Sequence, residues 1–148
     1  MKKKQKSTIE LTNEIDKATS WDELQIILKE NQVGKRTFGD LFSELCKKYQ
    51  VKPSQLQLIT PISKSLFYAV LNDTKKASKE TVLLMGLKLG VSVEELNELL
   101  KVAGHKELYP QKIDDAIILF GLKNKRSVSE IDEELKRRGS KLTLIDKD

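Results

Sequence analysis

Residues Leu56 to Asn72, LQLITPISKSLFYAVLN, decide how this chain is read. Two short apolar-patterned runs flank a tight break at Thr60-Pro61-Ile62-Ser63. The first run carries Leu56 and Ile59. The second carries Leu66, Phe67, Val70 and Leu71, whose spacing puts one apolar stripe on a helix over Lys64 to Leu71. Ser63 stands where an N-cap belongs, its side-chain oxygen able to accept an orphan N–H of the second helix. The outward positions of that helix are Lys64, Ser65, Tyr68, Ala69 and Asn72: polar, cationic or small. The pattern is helix, sharp turn, helix, with a polar front.

Charge singles out the same stretch. The chain carries a net +5. Residues 1–45 balance, and so do residues 81–148. Between them, Lys47, Lys48, Lys52, Lys64, Lys75, Lys76 and Lys79 face only Asp73 and Glu80, so the whole +5 lies around the helix pair. Cationic charge gathered in one place predicts a polyanionic partner, against the plainer reading of a solvated surface with a chance excess of lysine.

Upstream, four lysines in the first six residues repel one another and bury nothing, which predicts a disordered, solubilising tail over 1–6. Ser7 to Glu10 and Ser20 to Glu23 match the S-x-x-E capping box, opening two short helices that form an N-terminal hairpin over 7–36. Gly34-Lys35-Arg36 serves as the linker to the body. Ile9, Leu11 and Ile15 supply the first helix's apolar face, and Trp21, Leu24, Ile27 and Leu28 the second's. Trp21, the single tryptophan, is expected to pack the hairpin onto the body. Thr37 caps the strongest helical periodicity in the chain: Phe38, Leu41, Phe42, Leu45, Cys46 and Tyr49. On that stripe Cys46 reads as a small core residue.

Downstream, Ser78 caps a helix interrupted by Gly86, where a close helix contact is expected, and Gly90 ends it. Ser92 to Glu95 and Ser127 to Glu130 are further capping boxes. A helix over Lys112 to Lys123 is expected to turn Ile113, Ala116, Ile117 and Phe120 inward. The last helix is expected to bury Ile131 and Leu135 and stop at Gly139.

Several classes are disfavoured. No apolar run approaches the ~20 residues that a membrane span needs, and no apolar stretch follows the basic start as a secretory signal would. A lone cysteine allows no intrachain disulfide, and the expected compartment is the cytoplasm. The single histidine, His105, has no metal-type companion. No nucleophile elbow, zinc or phosphate-loop motif is present, so no enzyme activity, cofactor, metal or small-molecule ligand is expected. Asp114-Asp115 and Glu133-Glu134 read as solvated carboxylates, their members pointing apart on a helix. Lys136-Arg137-Arg138 reads as favourable charge at a helix C-terminus.

The order of elements resembles the phage-repressor-like (Cro/XRE) helix-turn-helix family of bacterial and phage regulators. The resemblance rests on Ile62-Ser-Lys-Ser65, Val70-Leu-Asn72, Ser78-Lys-Glu-Thr81 and Leu89-Gly-Val-Ser-Val-Glu-Glu-Leu96. It covers Phe38 to Ala103, under half the chain. It implies an all-α, lambda-repressor-like five-helix DNA-binding bundle over 37–104, with two added C-terminal helices over 105–148. It further implies sequence-specific binding of double-stranded DNA by a homodimer, with the helix over 64–71 in the major groove. Ser63, Lys64, Ser65, Tyr68 and Ala69 would then meet bases, and Asn72, Lys75, Lys76 and Lys79 phosphates. The chain departs from the family at Gln57, where many members have Ala, and at Pro61 and Asp73, where they have Gly. Ala77 replaces a loop Pro. The alternative reading is a protein-binding module on a helix-turn-helix scaffold, which a stripe of uncovered apolar residues on the C-terminal helices would favour.

Overall fold

The computed structural model describes residues 8–31 and 36–144. The basic tail over 1–6, the Ser7 cap, the Gly34-Lys35 part of the linker and the last four residues lie outside the described residues. The described residues form nine α-helices and no strand: α1 (Thr8–Lys17), α2 (Trp21–Glu30), α3 (Phe38–Lys48), α4 (Pro53–Leu58), α5 (Lys64–Leu71), α6 (Lys79–Leu89), α7 (Val93–Val102), α8 (Ile113–Lys123) and α9 (Val128–Arg137). None of them is long and apolar enough to cross a membrane. The chain divides into two compact units at the Arg36–Thr37 boundary.

In the first unit α1 and α2 pack on each other, and the Asn31 amide donates to Glu14 across the pair at 3.2 Å. Ser20 caps α2 by accepting from the Glu23 N–H. The Glu23 carboxylate returns to the Thr19 N–H at 2.6 Å, one residue earlier than the capping box places it. Two helices of ten residues bury little. Leu11, Leu24, Ile27 and Leu28 are half-buried, α2 has no fully buried residue, and Trp21 is exposed.

The second unit is built around α6. Its residues Thr81 to Gly86 are all buried, as expected of a helix apolar on every side. Helices α4, α7 and α9 pack against it, while α3 packs on α5 and α7. Gly86 is the close approach foreseen: a Cβ there would stand 2.6 Å from Leu96 Cδ1 of α7. From α3, Phe38, Leu41, Phe42, Leu45 and Cys46 are buried, with Phe42 edge-on to Phe67 of α5 at 6.5 Å between ring centroids. Each such phenyl contributes roughly 1.5–3 kcal/mol by burial. Burial also pushes the Cys46 thiol up to about 11, which keeps it protonated and inert. The C-terminal residues join the same core through Ile118, Val128, Ile131, Leu135, Leu142 and Leu144.

Sequence grammar holds at the caps. Thr37–Asp40, Ser92–Glu95 and Ser127–Glu130 form reciprocal capping boxes. It fails on the orientation of α8. The fully buried residues of α8 are Asp115, Ile118 and Gly121; of the four expected inward, Ala116 and Ile117 are half-buried, Ile117 against the core, whereas Ile113 is 64% and Phe120 62% exposed. Two contacts rotate the helix. Gly121 lies against α9 so closely that a Cβ would stand 2.5 Å from Ile131 Cγ1, and Asp115 reaches Lys79 of α6 at 3.0 Å.

Candidate nucleic-acid interface

The helix at the centre of the sequence argument, α5, spans Lys64 to Leu71, the limits its stripe and cap predict. Ser63 is its N-cap: the Ser63 hydroxyl oxygen accepts from the Leu66 N–H at 3.2 Å. That leaves the hydroxyl proton available for donation. Phe67 and Val70 are buried, with Leu66 and Leu71 half-buried beside them. This inward stripe fixes the outward one. Ser63, Lys64, Ser65 and Asn72 are exposed, and the first turn of α5 contains no acid. Tyr68 and Ala69 are half-buried, and the Tyr68 ring stands edge-on to Phe67 at 5.5 Å.

The turn before α5 is assembled by side chains. Where a glycine would bend the backbone by adopting φ > 0, Pro61 cannot, because its ring holds φ near −65°. Gln57 bridges the turn instead, its amide donating to the Ile62 carbonyl at 3.0 Å. The Thr60 hydroxyl donates to the Gln57 carbonyl at 2.9 Å. Gln57 thus has a structural duty that the alanine common in the resembling family could not perform.

The end of α5 is equally defined. The Ala69 carbonyl accepts from Thr74 N–H at 2.9 Å, Lys75 N–H at 3.2 Å and the Thr74 hydroxyl at 3.0 Å. Asp73 sits at φ +61°, left-handed backbone of the kind that glycine normally supplies. Its carboxylate accepts from the Gly39 N–H at 2.9 Å, which ties the loop to the first turn of α3.

The lysines of the cationic segment divide into two groups. Lys47, Lys52, Lys64, Lys75 and Lys76 are exposed, and none of them forms an ion pair among the described residues. Lys48 pairs with Glu95 at 2.5 Å and Lys79 with Asp115 at 3.0 Å. Lys79, expected at a phosphate, is therefore half-buried and held by a carboxylate. Asp115, expected in solvent, is buried and also accepts from the Tyr109 N–H at 2.9 Å. Lys76 runs beside Gly104, where a Cβ would meet its Cε at 3.1 Å. Lys47 and Lys52 belong to the exposed set and were not among the expected phosphate contacts. Their signal was in the charge count, which named them without placing them.

Beside this segment, Tyr49 and Lys48 both engage Glu95, joining α3 to α7. Burial acts to raise the Glu95 carboxyl, but hydrogen bonds from Lys48, the Ser92 N–H and Tyr49 outweigh it and hold the group at about 2. The second basic spot is ion-paired: Lys136 with Asp132 at 2.5 Å, and Arg137 and Arg138 both with Glu134 at 2.9 Å each. Among the described residues Lys106, Lys112, Lys123, Lys125 and Lys141 are likewise exposed and outside any ion pair, so what sets the helix pair and its flanks apart is their net positive charge. No protein-family model, curated protein or solved structure matches this chain.

Proposed function

We propose that this protein is a sequence-specific duplex-DNA-binding regulator of the lambda-repressor-like helix-turn-helix type, acting as a homodimer with α5 in the major groove. The observation that carries the reading is the open N-terminal turn of α5: Ser63, Lys64 and Ser65 exposed, no acid among them, with exposed Lys75 and Lys76 just past its other end. Helix N-terminal residues are those that reach base edges in this kind of docking. Lys64 would donate to guanine O6 or N7, Ser65 to either strand's base edges, and the Ala69 methyl would meet a thymine methyl. Tyr68, half-buried, would contribute its hydroxyl end. Asn72, Lys75 and Lys76 would set register on phosphates, with Lys47 and Lys52 adding to the field. Lys79 would act at one remove, by fixing the start of α6.

The test is binding to duplex fragments selected from random DNA, measured at several salt concentrations, for wild type and a Lys64→Ala/Ser65→Ala double variant. Both residues are exposed, so the fold tolerates the change. The expected result is salt-sensitive binding, weakened at least about 10-fold in the variant on the selected sequence. Absence of binding at low salt, or equal binding by the variant, rejects the reading.

A second reading, a protein-interaction module on the same scaffold, draws on one observation: the apolar residues Ile113 and Phe120 left uncovered on α8. A protein that selects no DNA yet retains this surface would belong to that class.

A further inference from the structure

We propose that the loop between α7 and α8, residues 104–112, is a second phosphate-gripping element, in which Lys106 and Lys112 join Lys75 and Lys76 on the backbone of the same DNA duplex. The inference rests on the DNA-binding reading. It adds to that reading an element beyond the stretch from Phe38 to Ala103 that carries the resemblance.

In sequence the loop is remote from the helix pair and belongs to a region whose charges balance. The fold sets it against the residues that lead into α6. Lys76 runs beside Gly104, whose missing side chain leaves it room: a Cβ there would stand 2.9 Å from the Lys76 ammonium. One residue on from each, His105 Nε2 lies 2.8 Å from the Ala77 carbonyl oxygen, so that nitrogen carries the proton and donates. Further along, the Tyr109 N–H and the Lys79 ammonium meet on one carboxylate, Asp115, at 2.9 and 3.0 Å. Between these ties Leu108 is buried, and its N–H donates to the Asn97 side chain of α7 at 2.9 Å. The loop backbone is therefore set before any ligand arrives, and the ordering cost of binding falls on side chains alone. Lys106 follows directly on the His105 tie, whose other end, Ala77, follows directly on Lys76.

Charge decides which ligand suits this surface. Residues 74–79 and 104–112 together hold five lysines and one acid, Glu107. Asp115 takes up Lys79, and Lys101 takes up Glu107 at 2.5 Å. Lys75, Lys76, Lys106 and Lys112 are left exposed and outside any ion pair among the described residues. Lysine is a point charge on a flexible stem, without the planar fork that reads a base edge, so such a set suits successive phosphates. Tyr109, 53% exposed between Lys106 and Lys112, adds a hydroxyl donor of the kind that also serves phosphates.

Salt titrations of the full chain on the selected duplex test the proposal. Lys106→Ala and Lys112→Ala are each expected to lower the slope of log K against log salt by about 1, alike on selected and unrelated duplexes. Lys106→Arg is expected to keep the wild-type slope, because charge carries the contact. Lys88→Ala, at an exposed lysine near the opposite end of α6 from Lys79, is expected to keep it too. Melting temperatures should stay near wild type in all four, since each side chain is exposed. Either Lys106→Ala or Lys112→Ala with the wild-type slope overturns the proposal. So does an equal loss in Lys88→Ala, which would assign the effect to overall charge. A wild type that binds no duplex removes this inference together with the DNA-binding reading, whereas binding that needs Lys64 and Ser65 but is indifferent to Lys106 removes this inference alone.

Discussion

Gly39 and Leu71 meet at backbone distance: a Cβ built on Gly39 would stand 2.1 Å from the Leu71 carbonyl oxygen. The start of α3 is thereby set directly on the end of α5, and the Gly39 N–H bond to Asp73 fastens the same corner. The position of α5 is thus fixed from behind, through its last residue and its buried Phe67 and Val70, which leaves its N-terminal turn open.

Gly39→Ala is expected to destabilise the protein by about 1–3 kcal/mol, the usual cost of forcing atoms into a filled site. The obstacle is a carbonyl oxygen, which moves only if the end of α5 moves. Urea denaturation of variant and wild type measures the loss, and an unchanged midpoint would show that the corner yields freely.

Lys76 and Lys79, three residues apart, are expected to behave oppositely. Lys79→Met strands the buried Asp115 carboxylate, keeping only its Tyr109 N–H bond. The cost is expected at roughly 1–3 kcal/mol, below that of a fully buried pair because Lys79 is partly exposed. Its effect on the salt dependence of DNA binding should be small. Lys76→Met should leave the melting temperature near wild type and reduce the salt slope by about 1 if the lysine meets a phosphate. Thermal melts and salt titrations of both variants decide it, and Lys79→Met with undiminished stability would contradict the ion pair's importance.

Glu95 predicts a pH dependence of stability. Its carboxyl lies at about 2 in the folded chain against an ordinary 4.5, so the folded state prefers it ionised. The stabilisation is fully present above pH 4.5 and is lost as pH falls toward 2. Glu95→Gln retains an acceptor for the Ser92 N–H but loses the charge facing Lys48. Melting temperatures of variant and wild type should differ at neutral pH and converge toward pH 2; a difference that persists unchanged at pH 2 would assign the effect to something other than this ionisation.

How far the chain could be read in advance depended on the range of the forces involved. The limits of α5, the caps at Thr37, Ser63, Ser78, Ser92 and Ser127, and the buried stripe of α3 all follow from residues within one or two turns of each other. The departures at Gln57, Pro61 and Asp73 marked the turns that needed special construction. Their solutions were not visible, because the Gln57 bond depends on the folded turn and the Asp73 bond reaches back 34 positions to Gly39.

The segment IDDAIILFGLK is apolar on nearly every side, so periodicity cannot choose which face of α8 turns inward. Gly121 against Ile131 and Asp115 against Lys79 made that choice. Composition likewise located the excess of positive charge but could not say that Glu95 and Asp115 take up two of its lysines. Sequence alone determined where the helices start, stop and carry their strongest stripes, because capping and helical spacing act over a few residues. Tertiary structure alone decided which side of an all-round apolar helix is covered and which lysines stay open to a partner, because those outcomes depend on groups brought together from distant parts of the chain.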